Sequence, residues 1–277
     1  MKNNKEQAGD AVSLVYQSRL PLSSKTVNYV ADLLRAHLKT IRSRWRSRTP
    51  GRIAVLVLAV LRHDQRAADL AGGNAVSATT LRRWCDEVIA LLAARAPRLD
   101  RALKKITRAG GEVMLLDGTL IRTRRRSGNA NRRNYSGKHK SHGLLFLALT
   151  DERGNLAWIS SARRGAASEV KTARHDKICQ HLRDAGLGAL ADLGFIGLND
   201  DPDDPVVITG AKRTRTKKLT AAQKTANQVI AAARAPVEHG FAALKNWRIL
   251  TRLRLNPARA TNLLRALLVL TNLENTR

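Results

Sequence analysis

The chain has 277 residues, enough to bury a real core in one large or two ordinary domains, and carries a formal net charge of +28 from 50 Lys and Arg against 22 Asp and Glu. Such an excess favours a polyanionic partner, because Lys and Arg neutralise phosphates and release condensed counterions. No run of about 18 apolar residues and no apolar leader is present, which speaks against a membrane, and Cys85 and Cys179 are too few and too far apart for a disulfide framework or a metal spacing, so a reducing cytosol is expected.

In chain order, residues 1–22 read as a polar lead-in. Ser24 is expected as an N-cap, and Val27, Val30, Leu33, Leu34, Leu38 and Ile41 recur at helical steps. The basic run 42–48 that follows is either a solvated helix end or a phosphate-contacting patch. An apolar helix is expected over 53–61, a short one over 64–70 ending at Gly72-Gly73, and a third over 78–94 capped by Ser77. Short helix, glycine turn and capped helix form the layout of a helix-turn-helix, in which Thr79, Arg82 and Arg83 would face a DNA major groove. A plain three-helix cluster with arginines on its wet side is the alternative. Residues 23–108 are therefore expected as a helical DNA-binding domain, with a second domain over 109–277.

That second domain changes pattern. Val113-Met-Leu-Leu reads as a buried strand leading into Asp117, where Gly118 frees the backbone, and residues 120–123 either continue it or pair beside it. Residues 122–140 hold no acid and many bases, among them Arg124, Arg125, Arg132, Arg133, Lys138 and Lys140, and predict a flexible loop that meets an anion. Residues 142–150 and 156–161 form a hairpin about the turn 151–155, and Ser168 caps a helix reaching about residue 185. Short strands follow at 190–193, carrying Asp192, and at 205–209, with an acidic loop over 200–204 between them and a basic loop over 212–218 after the second. From residue 219 the pattern is helical, and Pro236 either kinks that helix or restarts it, which would set Glu238 in a first turn. A last helix over 257–273 reads as a cover for the core. Hairpin strands followed by strands alternating with helices predict an α/β mixed sheet flanked by helices, of the kind seen in ribonuclease H-like nucleases.

Asp117, Asp192 and Glu238 would converge only through such a fold. Three acids at the head of a sheet repel one another unless a cation sits between them, and hard oxygen ligands suit Mg²⁺ or Mn²⁺. Two such ions would activate a water or a 3′-hydroxyl and stabilise the leaving oxygen of a displacement at phosphorus.

Three pieces carry a family resemblance: L-L-D-G-T around Asp117, A-D-L-G-F-I-G around Asp192, and R-A-P-V-E-H-G-F-A-A-L-K-N-W from Arg234 to Trp247. Together they resemble the DDE-type transposases of bacterial insertion sequences, in the group named for insertion sequence five, over roughly residues 50–273. The resemblance implies a catalytic triad of Asp117, Asp192 and Glu238 on a ribonuclease H-like fold that cuts element ends and joins the 3′-hydroxyl to target DNA. It also implies double-stranded DNA partners (terminal inverted repeats and target), a homodimer or larger assembly on DNA, and a bacterial, nucleoid-associated location. Arg234, Glu238 and Lys245 fall at the spacing of the family's Tyr, Arg, Glu, Lys signature, while Ala231 stands at its Tyr position, which puts a hairpin intermediate in doubt. Arg234 and Lys245 read as phosphate grips or as ion-pair partners of Glu238. Two other functions compete: a non-catalytic DNA-binding regulator derived from a transposase, and a basic RNA-binding scaffold.

Overall fold

The computed structural model describes residues 19–43, 46–124, 130–199, 203–216, 218–254 and 256–275. Five helices come first: α1 (Ser24–Thr40), α2 (Pro50–His63), α3 (Ala67–Gly72), α4 (Ala78–Ala93) and α5 (Leu99–Arg108). Their starts follow local chemistry. Ser23, one residue before the expected Ser24, caps α1 by accepting from Thr26 N, Thr49 caps α2 ahead of Pro50, and Ser77 caps α4. The α1 cap is itself tied to the far end of the chain, because Ser23 N and Oγ donate to Glu274 Oε1 at 3.0 and 2.6 Å.

Then follow β1 (Val113–Arg122), α6 (Ala130–Arg133), β2 (Tyr135–Ser136), β3 (Ser141–Thr150), β4 (Leu156–Ile159), β5 (Arg163–Arg164), α7 (Glu169–His175), α8 (Ile178–Ala185), β6 (Gly188–Ala191), β7 (Val207–Thr209), α9 (Ala221–Lys245) and α10 (Pro257–Asn275). One expectation is corrected and two alternatives are resolved. Residues 120–123 continue the first strand, which runs through Gly118 to Arg122 because β3 pairs beside it, Asp117 lying opposite Ala148. The expected helix after Ser168 is two helices, broken where Lys177 takes a left-handed φ of 52°. Pro236 does not restart the helix: α9 is a single helix of 25 residues with the proline inside it. One missing backbone donor is outweighed by the buried face of Val237, Phe241 and Leu244, so Glu238 lies in a helix interior and not at a helix N-terminus.

The sheet order is β2-β3-β1-β6-β7, with β4 and β5 also pairing with β3. β1 is antiparallel to β3 and parallel to β6, and β6 is parallel to β7. This is a mixed α/β sheet flanked by helices, consistent with a ribonuclease H-like arrangement. Alternation along β1 separates two cores. Leu115 and Ile121 join Phe146 and Ala148 in one core with α9, α10 and the N-terminal helices, while Met114 and Leu116 join Leu147 and Leu149 in another with residues of α5, α7 and α8.

The N-terminal helices thus share a core with the sheet. Leu81, Trp84, Val88 and Leu92 of α4 belong to the same cluster as Leu263, Leu264, Leu267 and Leu270 of α10. Trp247 is 1% exposed and donates from Nε1 to Thr271 Oγ1 at 3.0 Å, a core role. Among the described residues no helix is long and apolar enough to cross a membrane.

Candidate active site

Parallel pairing of β1 with β6 sets Leu116 beside Ala191, so the next residues, Asp117 within β1 and Asp192 just past the end of β6, lie side by side. Each carboxylate takes a backbone amide: Gly118 N donates to Asp117 Oδ1 and Gly194 N to Asp192 Oδ1, both at 2.8 Å. Side-chain alternation turns Asp117 toward α9, where Arg234 Nη2 stands 3.5 Å from its Oδ1. Glu238 follows one turn later on the same helix. It lines an open groove of about 650 Å³ together with Asp117, His139, Phe241 and Lys245.

A fourth acid approaches from the opposite face. Glu169, the first residue of α7, is seated against the backbone of both acid-bearing segments. A Cβ on Gly118 would lie 2.7 Å from its Oε1, and one on Gly194 would lie 2.2 Å from its Oε2. Its side chain is only 11% exposed, and Lys138 Nζ meets its Oε1 at 3.2 Å. The same ammonium lies 4.0 Å from Asp192 Oδ2.

The helix that carries Arg234 and Glu238 is held by backbone contact. A Cβ on Gly154, at the tip of the β3–β4 turn with φ +83°, would fall 2.3 Å from Pro236 O, and one on Gly240 would fall 2.6 Å from Gly154 O. The turn itself is built by Asp151, whose Oδ1 accepts from Arg153 N and Asn155 N.

Burial raises the pKa of Asp117. The Gly118 amide and Arg234 pull it back, while Asp192 and Glu169 push it up further. Burial alone would lower Lys138, but attraction and hydrogen bonding to Glu169, with Asp192 and Asp117 behind it, raise it instead. For an acid whose folded pKa is raised, the stability it contributes is greatest below its unfolded pKa and is lost as pH rises through the folded value. Ionised Asp117 therefore costs the metal-free protein stability at neutral pH. Asp117→Asn is expected to raise the melting temperature in chelator by roughly a few degrees. An unchanged or lower melting temperature would show that Asp117 bears no such strain.

The family model of the DDE superfamily endonucleases matches residues 116–272, more than half of the chain, and spans Asp117, Asp192 and Glu238. The chain belongs to that family. No curated protein and no solved structure matches it.

Endonucleases of this superfamily use divalent metals, and the donor set here can be tested against that. Among the described residues no three of His, Cys, Asp and Glu are drawn close enough to hold an ion as they stand. The chemistry nonetheless fits a hard cation. The donors are carboxylates, and the charge of Asp117 is opposed by burial and by two further acids, a deficit that a cation would relieve. Arg234 and Lys138 supply positive charge to those acids.

The residues expected to meet DNA divide accordingly. Arg234 pairs with Asp117 rather than with Glu238, which its unbroken helix makes possible, and Lys138 faces Glu169 and Asp192. Lys245 is exposed on the groove, its Nζ 5.9 Å from the Phe241 ring centre. Thr79, Arg82 and Arg83 are exposed on the first turns of α4, and Arg124, Arg132, Arg133 and Lys140 are exposed near the sheet. Arg125 lies outside the described residues. In the basic run before α2, Arg46 makes a two-pronged ion pair with Glu87, and Arg48 donates to the carbonyls of Asn74 and Ala75, so these two are structural. The segment expected as a flexible loop contains α6 and β2, and β2 pairs with β3. Glu169 was not anticipated. The only signals for it in the sequence are the Ser168 cap that starts its helix and a glycine within two residues of each aspartate.

Proposed function

We propose that this DDE endonuclease is a DNA transposase that cuts the ends of its element and joins the freed 3′-hydroxyl to target DNA, with Asp117, Asp192 and Glu238 as the catalytic acids. The reading is carried by one observation: Asp117 in β1 and Asp192 just past the end of the adjacent parallel β6 lie side by side, and Glu238 shares the groove of Asp117. Those three acids would hold Mg²⁺ or Mn²⁺, two ions in all, which when bound supply an activated attacking oxygen and stabilise the leaving one.

The chain's own residues then have separable tasks. Arg234 orients Asp117 through its ion pair. Lys245, two turns beyond Glu238 on one helix face, grips a phosphate over the groove. The exposed Thr79, Arg82 and Arg83 at the start of α4 meet duplex DNA as a helix-turn-helix would, and Arg124, Arg132, Arg133 and Lys140 contact the backbone. Two copies bridge the paired ends, and the work is done on the bacterial nucleoid.

The test uses a supercoiled plasmid carrying the DNA that flanks this gene. Nicking in Mg²⁺ or Mn²⁺, its loss in chelator, and covalent joining of a 3′-hydroxyl end to a second DNA are the expected results. DNA binding with no cleavage in Mn²⁺ would favour a non-catalytic regulator, the reading that the internal cations on the acids otherwise support.

A further inference from the structure

The cation nearest the open side of Asp192 belongs to the protein. Asp192 Oδ1 is occupied by the Gly194 amide, so its other oxygen is the one turned to a ligand, and Lys138 Nζ stands 4.0 Å from that Oδ2. The ammonium is anchored on Glu169, lying 3.2 Å from Oε1 and 3.4 Å from Oε2. Anchor and ammonium differ in freedom. Glu169 is 11% exposed, and its carboxylate fills the space that a Cβ on Gly118 or Gly194 would need. Lys138 is 60% exposed, on the turn between β2 and β3, and its four-carbon stem can swing the charge away without disturbing the fold. A fixed acid therefore holds a movable cation against an aspartate of the candidate metal site.

We propose that Lys138 is a tethered counter-cation, positioned by Glu169, that a divalent ion must displace to reach Asp192. In this role Lys138 is a positioning residue and not a catalytic one. With no metal it shields Asp192 and Glu169 from each other and from Asp117. A divalent ion held by Asp192 would repel the ammonium, so Lys138 would have to swing away for the site to load. The metal concentration at which the site loads is thereby set above the one the carboxylates alone would give. This inference rests on the metal-dependent reading of the same acids, and its test separates the two.

The experiment is a Mn²⁺ titration of the full-length chain, stripped with chelator and free of DNA, with unbound Mn²⁺ read by electron paramagnetic resonance. Lys138→Met removes the charge and keeps the length of the side chain. It is expected to tighten Mn²⁺ binding by about tenfold, the scale of one exposed charge acting on a divalent ion, whereas Lys138→Arg stays close to wild type. Because the side chain is mostly exposed, the melting temperatures of these variants serve as a check that the fold is kept. Equal or weaker binding by Lys138→Met, beside wild-type binding that Asp192→Asn removes, overturns the counter-cation and leaves the metal site standing. A wild-type chain with no Mn²⁺ uptake sensitive to Asp192→Asn overturns the metal-dependent reading, and the counter-cation with it.

Discussion

Asp192→Asn and Asp117→Asn are each expected to lower Mg²⁺-dependent nicking by about a thousandfold or more, because the proposed chemistry draws several kcal/mol of charge stabilisation from these carboxylates. Asparagine keeps the shape and still offers an oxygen to the amides of Gly194 and Gly118, so the fold and the exposed basic residues of α4 are preserved. Duplex DNA binding in a gel-shift assay should therefore persist at wild-type strength or rise, since each change removes a negative charge. Loss of binding together with cleavage would mean that these acids support the structure and not the reaction. Full cleavage by either variant would remove that acid from the mechanism. Asp117→Asn has a second signature, since the same substitution is expected to raise the melting temperature of the metal-free protein, placing activity and stability in opposition at one residue.

The largest structural effect is expected at Gly154. Alanine there meets Pro236 O at 2.3 Å and must also hold a φ of +83°. Both partners are backbone, so no side chain can move aside, and the turn and α9 must separate. A cost of about 2–4 kcal/mol is expected, read as a melting temperature lower by roughly 5–12 °C. Nicking should fall beyond what stability explains, because α9 carries both Arg234 and Glu238. Gly240→Ala presses on the same contact from the helix side, 2.6 Å from Gly154 O, and should act in the same direction. Gly186→Ala is the control. Gly186 has a φ of +67° but nothing within 4 Å of an added Cβ, so it carries the conformational cost alone, about 1 kcal/mol. Equal losses at Gly154 and Gly186 would show that the contact between turn and helix does not hold α9 in place.

What could be read from the sequence is what local chemistry decides. The Ser77 cap, the apolar face of α4, the hairpin about Asp151 and the burial of β1 all follow from spacing and residue type. The two aspartates stand out in the sequence because each follows an apolar run and precedes a glycine by one or two residues. Their arrangement was less legible. After Gly118 the sequence leaves continuation or a second, paired strand open, and the strand continues because β3 is long enough to pair beyond. At Pro236 it leaves a kink or a restart open, and the buried face of α9 keeps one helix through the missing donor. Lys138 looks like any other base in a basic stretch, and only the approach of Glu169 to two bare backbones gives it a fixed partner. No periodicity encodes that approach, since it depends on where α7 is set against the sheet.

The bond from Ser23 to Glu274 joins the first described helix to the last, and α10 lies between α4 and the sheet. During synthesis α1 to α4 can pack on one another as they emerge, but the part of the α4 face that meets α10 has no cover until nearly all the polypeptide has been made. Cutting out residues 116–272 as a stand-alone nuclease would leave the complementary wound, a leucine-lined α10 facing water. An excised fragment of that kind is suited to precipitation rather than to crystals.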